Sequence, residues 1–395
     1  MTAYAASRTP RHKGPAAWSE ILPGQPAPVP LASHTTVDVA IVGGGFAGLA
    51  AARRLCQLDP TIRIAVIEAS RLAEGASGRN LGFMIDLPHE LTSDDYAGHG
   101  DDREMIALNR YAITFAQGAV EDFEIDRNFF ECSGKVNGAA SNAADALNRS
   151  YAEHLTSLGE PNERLESKAM FELTGSRHYL SGLYTPGTVM LQPAGFVRGL
   201  GQGLRASGVL VCEETFVTAI SRQGRGWVVS TSRGRVTAGK VVMANNGHLE
   251  SFGFARNRLM HVFLYASMTI ELPAEMMATL GGKPRWGVTP SDPMGTTMRR
   301  IDTALGGNRI VTRTCATIEP NLEPTYATLR RTAAIHARKF AERFPAMADV
   351  GQEFTWAGHL CLTRNAVSVA REIEPDLYAA AICNGLGTTR STLVD

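Results

Sequence analysis

Three glycines and one carboxylate have the spacing of a nucleotide site. Gly43, Gly45 and Gly48 form the pattern G-x-G-x-x-G, and Glu68 follows twenty residues after Gly48. In such a turn the first glycine permits a tight bend, the second admits a pyrophosphate close to the backbone, and the third lets a helix pack on a strand. A carboxylate at that distance binds ribose hydroxyls, and its charge disfavours a 2′-phosphate. The pattern therefore predicts a dinucleotide other than NADP.

The elements around the turn are those that this chemistry requires. The run "VDVAIV" (37–42) is typical of a parallel strand buried on both faces, and "FAGLAAARRLCQL" (46–58) of a helix. The helix N-terminus would direct N–H groups and a partial positive charge at phosphates. A second apolar strand, "RIAVIE" (63–68), ends at Glu68. A glycine-rich turn without a ligand is the structural alternative, and the acid at the strand end argues against it.

The composition indicates a small-molecule partner. Lysine plus arginine and aspartate plus glutamate both number 39 in 395 residues, so no net charge favours nucleic acid or an anionic membrane. The six cysteines are scattered without a CxxC pair and no HExxH pattern occurs, so we expect a reducing, cytoplasmic setting and no metal. Residues 1–35 are rich in proline and lack an apolar core, which predicts an irregular arm and neither a signal peptide nor a membrane span.

Two further segments carry a more specific signal: "EASRLAEGASGRNLGFM" (68–84) and "LYAAAICNGLGTTRSTLVD" (377–395). With the glycine turn they resemble the D-amino-acid oxidase and glycine oxidase superfamily, and within it the gamma-glutamylputrescine oxidase-like amine oxidases. The resemblance runs from about residue 36 to the end. It implies FAD as the cofactor. Since a second strand–GxGxxG–helix unit for NAD(P)H is not found, the electrons are expected to come from the substrate.

The predicted FAD-binding residues combine the turn with positions that the resemblance implies. Val217 would meet the adenine through its backbone, and the last four residues of the set would surround the pyrimidine edge of the flavin at the start of a helix. The full set is Gly43, Gly45, Phe46, Ala47, Gly48, Glu68, Ala69, Ser70, Ser77, Gly78, Arg79, Asn80, Gly82, Val217, Asn246, Gly247, Gly385, Gly387, Thr388 and Thr389.

The resemblance implies an α/β fold, in which a Rossmann-like FAD-binding domain of the glutathione-reductase type is interleaved with an antiparallel-sheet substrate domain. We predict FAD-binding segments at 36–128, 141–247 and 350–395, and substrate-domain segments at 129–140 and 248–349. Apolar periodicity predicts helices over 102–126, 141–159 and 324–344. Strands are predicted over 260–272, 295–302 and 308–318.

The activity that the resemblance implies is oxidation of the C–N bond of a small amine or amino acid. A hydride passes to flavin N5, and the resulting imine hydrolyses to a carbonyl product. Oxygen or another acceptor would then reoxidise the flavin. A dehydrogenase that passes electrons to a quinone and a truncated or non-catalytic FAD-binding protein stay as alternatives, and homo-oligomer formation stays open. The flavin-type loops at 75–82 and 385–389 argue against an NAD-dependent dehydrogenase.

Substrate recognition is where the sequence departs from this family. Amino-acid-using members often carry G-x-R-P before the terminal glycine loop, whereas "GHLC" (358–361) has leucine and cysteine at the last two positions. Leu360 cannot form the bidentate contact that a carboxylate prefers. Either another arginine binds a carboxylate, or the substrate is an amine without an α-carboxylate. The alternative arginines are Arg299, Arg300, Arg313 and Arg364.

The candidate catalytic residues are His261, Tyr265, Arg300 and His359. His261 and Tyr265 alternate along "MHVFLYASM", so they would share one face of a strand. A hydrogen-bonded core pair is the alternative for these two side chains. Cys383 is either a small core residue or, as in some relatives, a point of covalent flavin attachment, which would require an electropositive setting for its thiolate.

Overall fold

Two large sheets and one small sheet organise the described part of the chain, which comprises residues 3–88, 102–292 and 294–393 of a computed structural model. The strands are β1 (Ala3–Ala5), β2 (Thr35–Val42), β3 (Ile64–Ile67), β4 (Phe83–Met84), β5 (Phe130–Glu131), β6 (Lys135–Ala139), β7 (Glu163–Glu166), β8 (Ser181–Thr185), β9 (Val189–Leu191), β10 (Leu210–Cys212), β11 (Val217–Gln223), β12 (Gly226–Thr231), β13 (Arg235–Met243), β14 (Leu259–Thr269), β15 (Trp286–Pro290), β16 (Thr297–Ile301), β17 (Arg309–Ile318), β18 (Gln352–Thr363), β19 (Val369–Glu374) and β20 (Leu377–Ala381). The helices are α1 (Ala17–Glu20), α2 (Phe46–Leu58), α3 (Asp102–Asp122), α4 (Asn142–Leu158), α5 (Ser167–Thr174), α6 (Pro193–Ala206), α7 (Ala274–Leu280), α8 (Tyr326–Arg343) and α9 (Gly387–Leu393).

The first sheet contains the predicted Rossmann-like unit. Its strand order is β1-β11-β12-β13-β2-β3-β10, and β20 pairs with β13 and β19. Strands β10, β3, β2, β13 and β20 are parallel, whereas β11 and β12 form an antiparallel hairpin that extends the sheet from β13. All four residues of β3 are buried, as expected of a strand covered on both faces. Helices α2, α3, α6 and α9 pack together on this sheet, so the predicted α/β class is confirmed.

The second sheet has the order β18-β14-β17-β16-β15-β6-β8-β7 and is antiparallel except for the β15–β6 pair. Helix α8 packs against β14, β17 and β18. Strands β7, β8 and β18 lie within the segments 141–247 and 350–395 that were assigned to the FAD-binding domain, yet they belong to this sheet. Sheet membership depends on pairing between strands far apart in the sequence, which local periodicity does not specify.

The predicted helices and strands are confirmed with small shifts at their ends. The helices over 102–126, 141–159 and 324–344 correspond to α3, α4 and α8, and the strands over 260–272, 295–302 and 308–318 correspond to β14, β16 and β17. Helix α3 ends at Asp122, and Glu124 then adopts a left-handed φ of 51°. No helix among the described residues is long and apolar enough to cross a membrane.

The predicted irregular arm, residues 1–35, contains two short regular elements. Strand β1 pairs antiparallel with β11, with Tyr4 opposite Ile220. Helix α1 carries Trp18, whose side chain is fully buried among the helices on the first sheet. Both elements therefore fix the arm to the body of the molecule.

Candidate functional site

A cleft between the two sheets begins at the carboxyl ends of β2 and β13 and has two adjoining halves. We call the part around Gly43–Gly45 the turn half, and the part that reaches β14, β17 and β18 the sheet half. Both halves are lined by the same central residues, which are Gly45, Ala76, Ser77, Ala244, Asn246 and His359. A ligand long enough to occupy both halves would pass over this shared floor.

The turn half is shaped by backbone at the start of α2. Gly45 is the N-cap residue of α2 and supplies no capping side chain, so the N–H groups of the first helical turn are directed toward the cleft. The backbone N–H of Phe46 donates to Ser77 Oγ at 3.0 Å. Glu68 accepts from the N–H of Gly44 at 2.8 Å and from that of Ser70 at 3.0 Å. The carboxylate is thus fixed beside the turn.

Two of the three motif glycines have no room for a side chain. Gly43 has a φ of +114°, and a Cβ there would lie 2.6 Å from the carbonyl oxygen of Ala244. A Cβ on Gly48 would lie 2.0 Å from the carbonyl oxygen of Gly43. Both contacts are with backbone, which cannot rotate away, so glycine is required for β2, β13 and α2 to approach one another.

The turn half also contains a polar group that a ligand would satisfy. Asn245 lines it, and its amide nitrogen and amide oxygen are both buried without a hydrogen-bond partner among the described residues. An unpaired buried amide is costly, and a bound nucleotide offers both donors and acceptors. Together with the glycine turn and Glu68, this amide fits the dinucleotide portion of FAD.

Loop 75–82 connects the two halves. Arg79 is buried, and its guanidinium donates to the carbonyl oxygens of Glu74, Lys13, Gly14 and Ala357. Burial lowers the pKa of Arg79 to about 10. Asn80 accepts from the N–H of Gly82 at 2.7 Å and therefore fixes the loop in its bend. The main effect of Arg79 is to fasten the N-terminal arm to this loop.

The terminal glycine loop closes the sheet half. Gly385 has a φ of +102° and precedes α9, and Gly387 and Thr388 line the cleft. Thr388 Oγ1 donates to the carbonyl oxygen of Phe83, and Thr389 Oγ1 donates to that of Ile85 at 3.0 Å. These bonds fasten the loop to the segment that follows loop 75–82.

The predicted FAD-binding residues fall into two groups. Those that line the cleft are Gly43, Gly45, Phe46, Ala47, Glu68, Ala69, Ser77, Arg79, Asn80, Val217, Asn246, Gly385, Gly387 and Thr388. Those that lie behind its surface are Gly48, Ser70, Gly78, Gly82, Gly247 and Thr389. The second group shapes the cleft by packing: a Cβ on Gly78 would lie 1.8 Å from the carbonyl oxygen of Ala73.

The predicted catalytic residues are likewise divided. Tyr265 and His359 line the sheet half, whereas His261 and Arg300 do not. Tyr265 forms a 2.6 Å hydrogen bond with Thr317, and burial raises the pKa of the tyrosine. Arg300 donates to the carbonyl oxygen of Gly281, away from the cleft. It therefore holds a neighbouring segment.

A chain of side chains leads from the surface to the cleft floor. Glu250 Oε2 lies 2.7 Å from His261 Nε2, and His261 Nδ1 lies 3.2 Å from His359 Nε2. Burial holds the pKa of His359 well below its usual value, so the ring is neutral at pH 7. The ligand atoms of His261, His359 and Cys361 lie within 4.8 Å of one another, a spacing that a metal ion can use. The absence of a metal stays a prediction.

The four alternative arginines occupy different settings. Arg299 is fully buried and donates to the carbonyl oxygens of Leu81 and Leu191. Arg300 is directed elsewhere, and Arg364 is exposed after β18. Arg313, on β17, lines the sheet half and has neither a hydrogen bond nor an ion pair with any described residue. Leu360 lines the same half, so the position of the family's arginine is apolar here.

Cys383 also lines the sheet half. Burial raises the pKa of its thiol above the usual value. The group is therefore a protonated thiol at neutral pH, in contrast to the thiolate that covalent attachment requires.

Several lining residues were not identified from the sequence. They include Asn245, His248 and four residues of the arm, Arg8, Pro10, Arg11 and His12. The position of Asn245 at the carboxyl end of a parallel strand was a usable signal, because ligands of such sheets bind there. The arm residues carried no comparable signal, because only the fold brings them to the cleft.

Comparisons with known proteins agree with this geometry. Residues 38–394 match the family described as "DAO: FAD dependent oxidoreductase". The chain is 25% identical over 384 residues to the probable oxidoreductase OrdL of Rhizobium meliloti, covering 94% of this chain and 84% of that protein. It is 28% identical over 219 residues to the gamma-glutamylputrescine oxidoreductase of Escherichia coli, covering 54% of this chain and 50% of that protein.

The fold is also similar to that of solved structures. Glycine oxidase from Geobacillus kaustophilus superimposes with a TM-score of 0.73 at 21% identity, covering 91% of this chain and 92% of that one. This likeness extends across both sheets, and the family match extends through the glycine turn, loop 75–82 and the terminal glycine loop. The chain belongs to the DAO family of FAD-dependent oxidoreductases.

Proposed function

We propose that this protein oxidises the C–N bond of a small amine that carries a carboxylate, an amino acid in the simplest case. The observation that carries the proposal is Arg313, a cation that faces the sheet half without a partner among the described residues. A guanidinium keeps its charge throughout the physiological range and presents a fork of donors that matches a carboxylate. Arg313 would therefore take the role of the family's arginine, whose position is occupied by Leu360 in this chain.

The remaining lining of the sheet half supports an anionic substrate. Among the described residues that line this half, none is an aspartate or a glutamate, so an ammonium group of a polyamine would find no counter-ion there. Arg313 is partly buried, and burial lowers the pKa of its guanidinium, which indicates that the cation is incompletely hydrated. A bound carboxylate would restore the lost interactions.

Arg313 sits where it can orient a substrate against the cofactor. It is opposite Ala266 on β14 and Thr297 on β16, and all three residues line the sheet half. His359 lies where the two halves meet, so its neutral ring would face the cofactor. Leu264 and Leu360 supply apolar surface next to this position, which would limit the access of water.

The cofactor supplies the redox step. When bound, FAD would accept a hydride from the carbon next to nitrogen, and water would hydrolyse the imine product to a carbonyl compound. The chain's own contribution would be to hold the carboxylate at Arg313, so that this carbon reaches the cofactor in one orientation. Release of the amine proton accompanies imine formation.

The test is an anaerobic absorption spectrum of the flavin-loaded protein during titration with matched pairs of substrates. Each pair contains an amino acid and the amine that lacks its carboxylate, such as glycine and methylamine, and putrescine is tested alone. We expect the flavin bands to bleach with carboxylate-bearing amines only. Bleaching with putrescine or the plain amines at equal efficiency would contradict the assignment of Arg313.

A matched pair of variants isolates the arginine. Arg313→Met should lower kcat/KM for a carboxylate substrate about 10- to 100-fold, the effect of a lost charged hydrogen bond, while flavin content is retained. Arg364→Met is the control, since it removes an exposed arginine of the same kind and should leave kcat/KM unchanged. An equal response of the two variants would rule out a carboxylate at Arg313.

A further inference from the structure

We propose that residues 7–14 of the arm form a strap that binds the nucleotide portion of FAD. The family match begins at residue 38, so this segment lies outside the part of the chain that the family describes. Four of its residues, Arg8, Pro10, Arg11 and His12, line the turn half together with the glycine turn and Glu68. The proposal rests on FAD as the cofactor and is independent of the substrate.

One end of the strap is anchored beside Val217. Strand β1 pairs with β11, and the N–H of Ala6 donates to the carbonyl oxygen of Thr218 at 2.8 Å. The N–H and the hydroxyl of Ser7 then both donate to the carbonyl oxygen of Ser251, at 2.9 and 3.0 Å. Val217 and Phe216 line the turn half, so the strap enters the site at this end.

The other end is anchored at loop 75–82 and β18. Arg79 donates to the carbonyl oxygens of Lys13, at 3.2 Å, and Gly14, at 3.0 Å. The N–H of Ala357 donates to the carbonyl oxygen of Lys13 at 2.9 Å. Gly14 has a φ of +73°, and a Cβ there would lie 2.1 Å from the carbonyl oxygen of Thr355. The strap therefore spans the turn half between two fixed ends.

The charge of the strap suits a pyrophosphate. Arg8 and Arg11 are cationic, whereas Glu68 is the one carboxylate among the described residues that line the turn half. Arg8 uses two donors, on the carbonyl oxygen of Pro320 at 2.7 Å and on Asn321 Oδ1 at 3.2 Å. Arg11 pairs with Glu323 at 3.3 Å. A guanidinium has five donors, so both arginines keep donors for a phosphate.

His12 and Leu322 complete the enclosure. His12 is half-buried beside the cleft, and its desolvation lowers the pKa of the ring to about 3, so the ring is neutral. Leu322, from the connection between β17 and α8, lines the turn half beside the strap. The connection that holds Arg8 and Arg11 thus also contributes to the wall.

The first experiment is trypsin digestion of the FAD-depleted protein with and without ADP, FAD or riboflavin. Cleavage after Arg8, Arg11 and Lys13 is compared by mass spectrometry with cleavage after Arg225, an exposed residue in the β11–β12 turn. We expect ADP and FAD to slow cleavage in the strap at least tenfold relative to Arg225, and riboflavin to have no such effect. Equal protection at Arg225 and in the strap would overturn the proposal.

The second experiment measures FAD affinity and release. The double variant Arg8→Gln/Arg11→Gln is compared with Arg54→Gln/Arg225→Gln, which removes the same charge from exposed sites. We expect the first variant to bind FAD and ADP at least about tenfold more weakly and to release FAD faster, because charge-assisted contacts to phosphate are lost. FAD and ADP affinities equal to those of the control would contradict a role in cofactor binding, whatever the substrate is.

Discussion

The two halves of the cleft differ in the share of backbone and side-chain groups that line them. In the turn half, the glycine turn, the first turn of α2 and the carboxyl ends of β2 and β13 expose backbone to the cleft, and the side chains of Glu68, Asn245 and the strap line the rest. The sheet half consists of side chains that converge from β14, β16, β17, β18 and the terminal glycine loop. Backbone recognises what all dinucleotides share, whereas side chains from separate strands can change one by one.

This difference explains where the chain follows its family and where it departs. Gly43 and Gly48 cannot carry a Cβ without a backbone clash, so this part of the turn half keeps the family pattern. Leu360, by contrast, occupies the arginine position of the sheet half, and Arg313 faces the same space from another strand. If Arg313 binds the substrate carboxylate as proposed, the substrate-binding charge lies on a different strand while the cofactor site keeps its place.

The largest expected effect is in the turn half. Gly48→Ala should abolish stable FAD binding, because its Cβ would lie 2.0 Å from the carbonyl oxygen of Gly43 and α2 would have to move. Overpacking of this kind costs about 1–3 kcal/mol in unfolding free energy. Flavin content and thermal midpoint are measured beside Gly351→Ala, whose Cβ would meet only Ile270 at 3.8 Å. A Gly48→Ala protein that retains flavin and has normal stability would contradict the view that the turn half tolerates less change than the sheet half.

A smaller effect is expected at the carboxylate of the turn half. Glu68→Gln should weaken FAD binding about tenfold, because the charged acceptor of the Gly44 and Ser70 N–H groups is lost. At saturating FAD, KM for the substrate should be unchanged if the two halves act separately. Fluorescence titration of the FAD-depleted protein gives the affinity, and Glu153→Gln on the exposed face of α4 is the control. A raised KM would show that the halves are coupled.

The prediction with the least expected effect on cofactor and substrate binding concerns the sheet behind the sheet half. His336 is buried, lies 2.7 Å from Ser267 Oγ and 3.1 Å from the carbonyl oxygen of Thr314, and has its pKa lowered by burial from 6.5 to about 4. The unfolded chain therefore binds a proton that the folded chain does not. As pH falls from about 7.5 to 4, His336 makes stability decrease, most steeply below about pH 6.5, whereas above about pH 7.5 it adds no slope.

In the His336→Gln variant, unfolding should take up about one proton fewer at acidic pH. The slope of the unfolding free energy against pH should therefore fall by about 1.4 kcal/mol per pH unit. Urea unfolding of the flavin-loaded protein between pH 4.5 and 7.5 measures the slope, with exposed His34→Gln as the control. The FAD affinity of His336→Gln at pH 7 should equal that of the unmodified protein, in contrast to the weaker binding expected for Glu68→Gln. An unchanged slope would mean that another group takes up the proton.

The sequence by itself determined the parts of the molecule that depend on neighbours along the chain. Gly43, Gly45, Gly48 and Glu68 lie within one strand–helix–strand unit, whose periodicity and length are readable without a partner. The helices α3, α4 and α8 and the strands β14, β16 and β17 were predicted for the same reason. The spacing of apolar residues along such a stretch is enough to distinguish a helix from a strand.

Only the tertiary structure decided which side chains meet. Arg299, Arg300 and Arg313 were equivalent candidates in the sequence, yet only Arg313 faces the cleft among them. His261 contacts His359 across 98 residues, and the strap reaches the cleft from the N-terminal arm. The physical reason is that a side chain on a strand takes its direction from pairing register, which β-bulges such as that between Leu264 and Tyr265 shift.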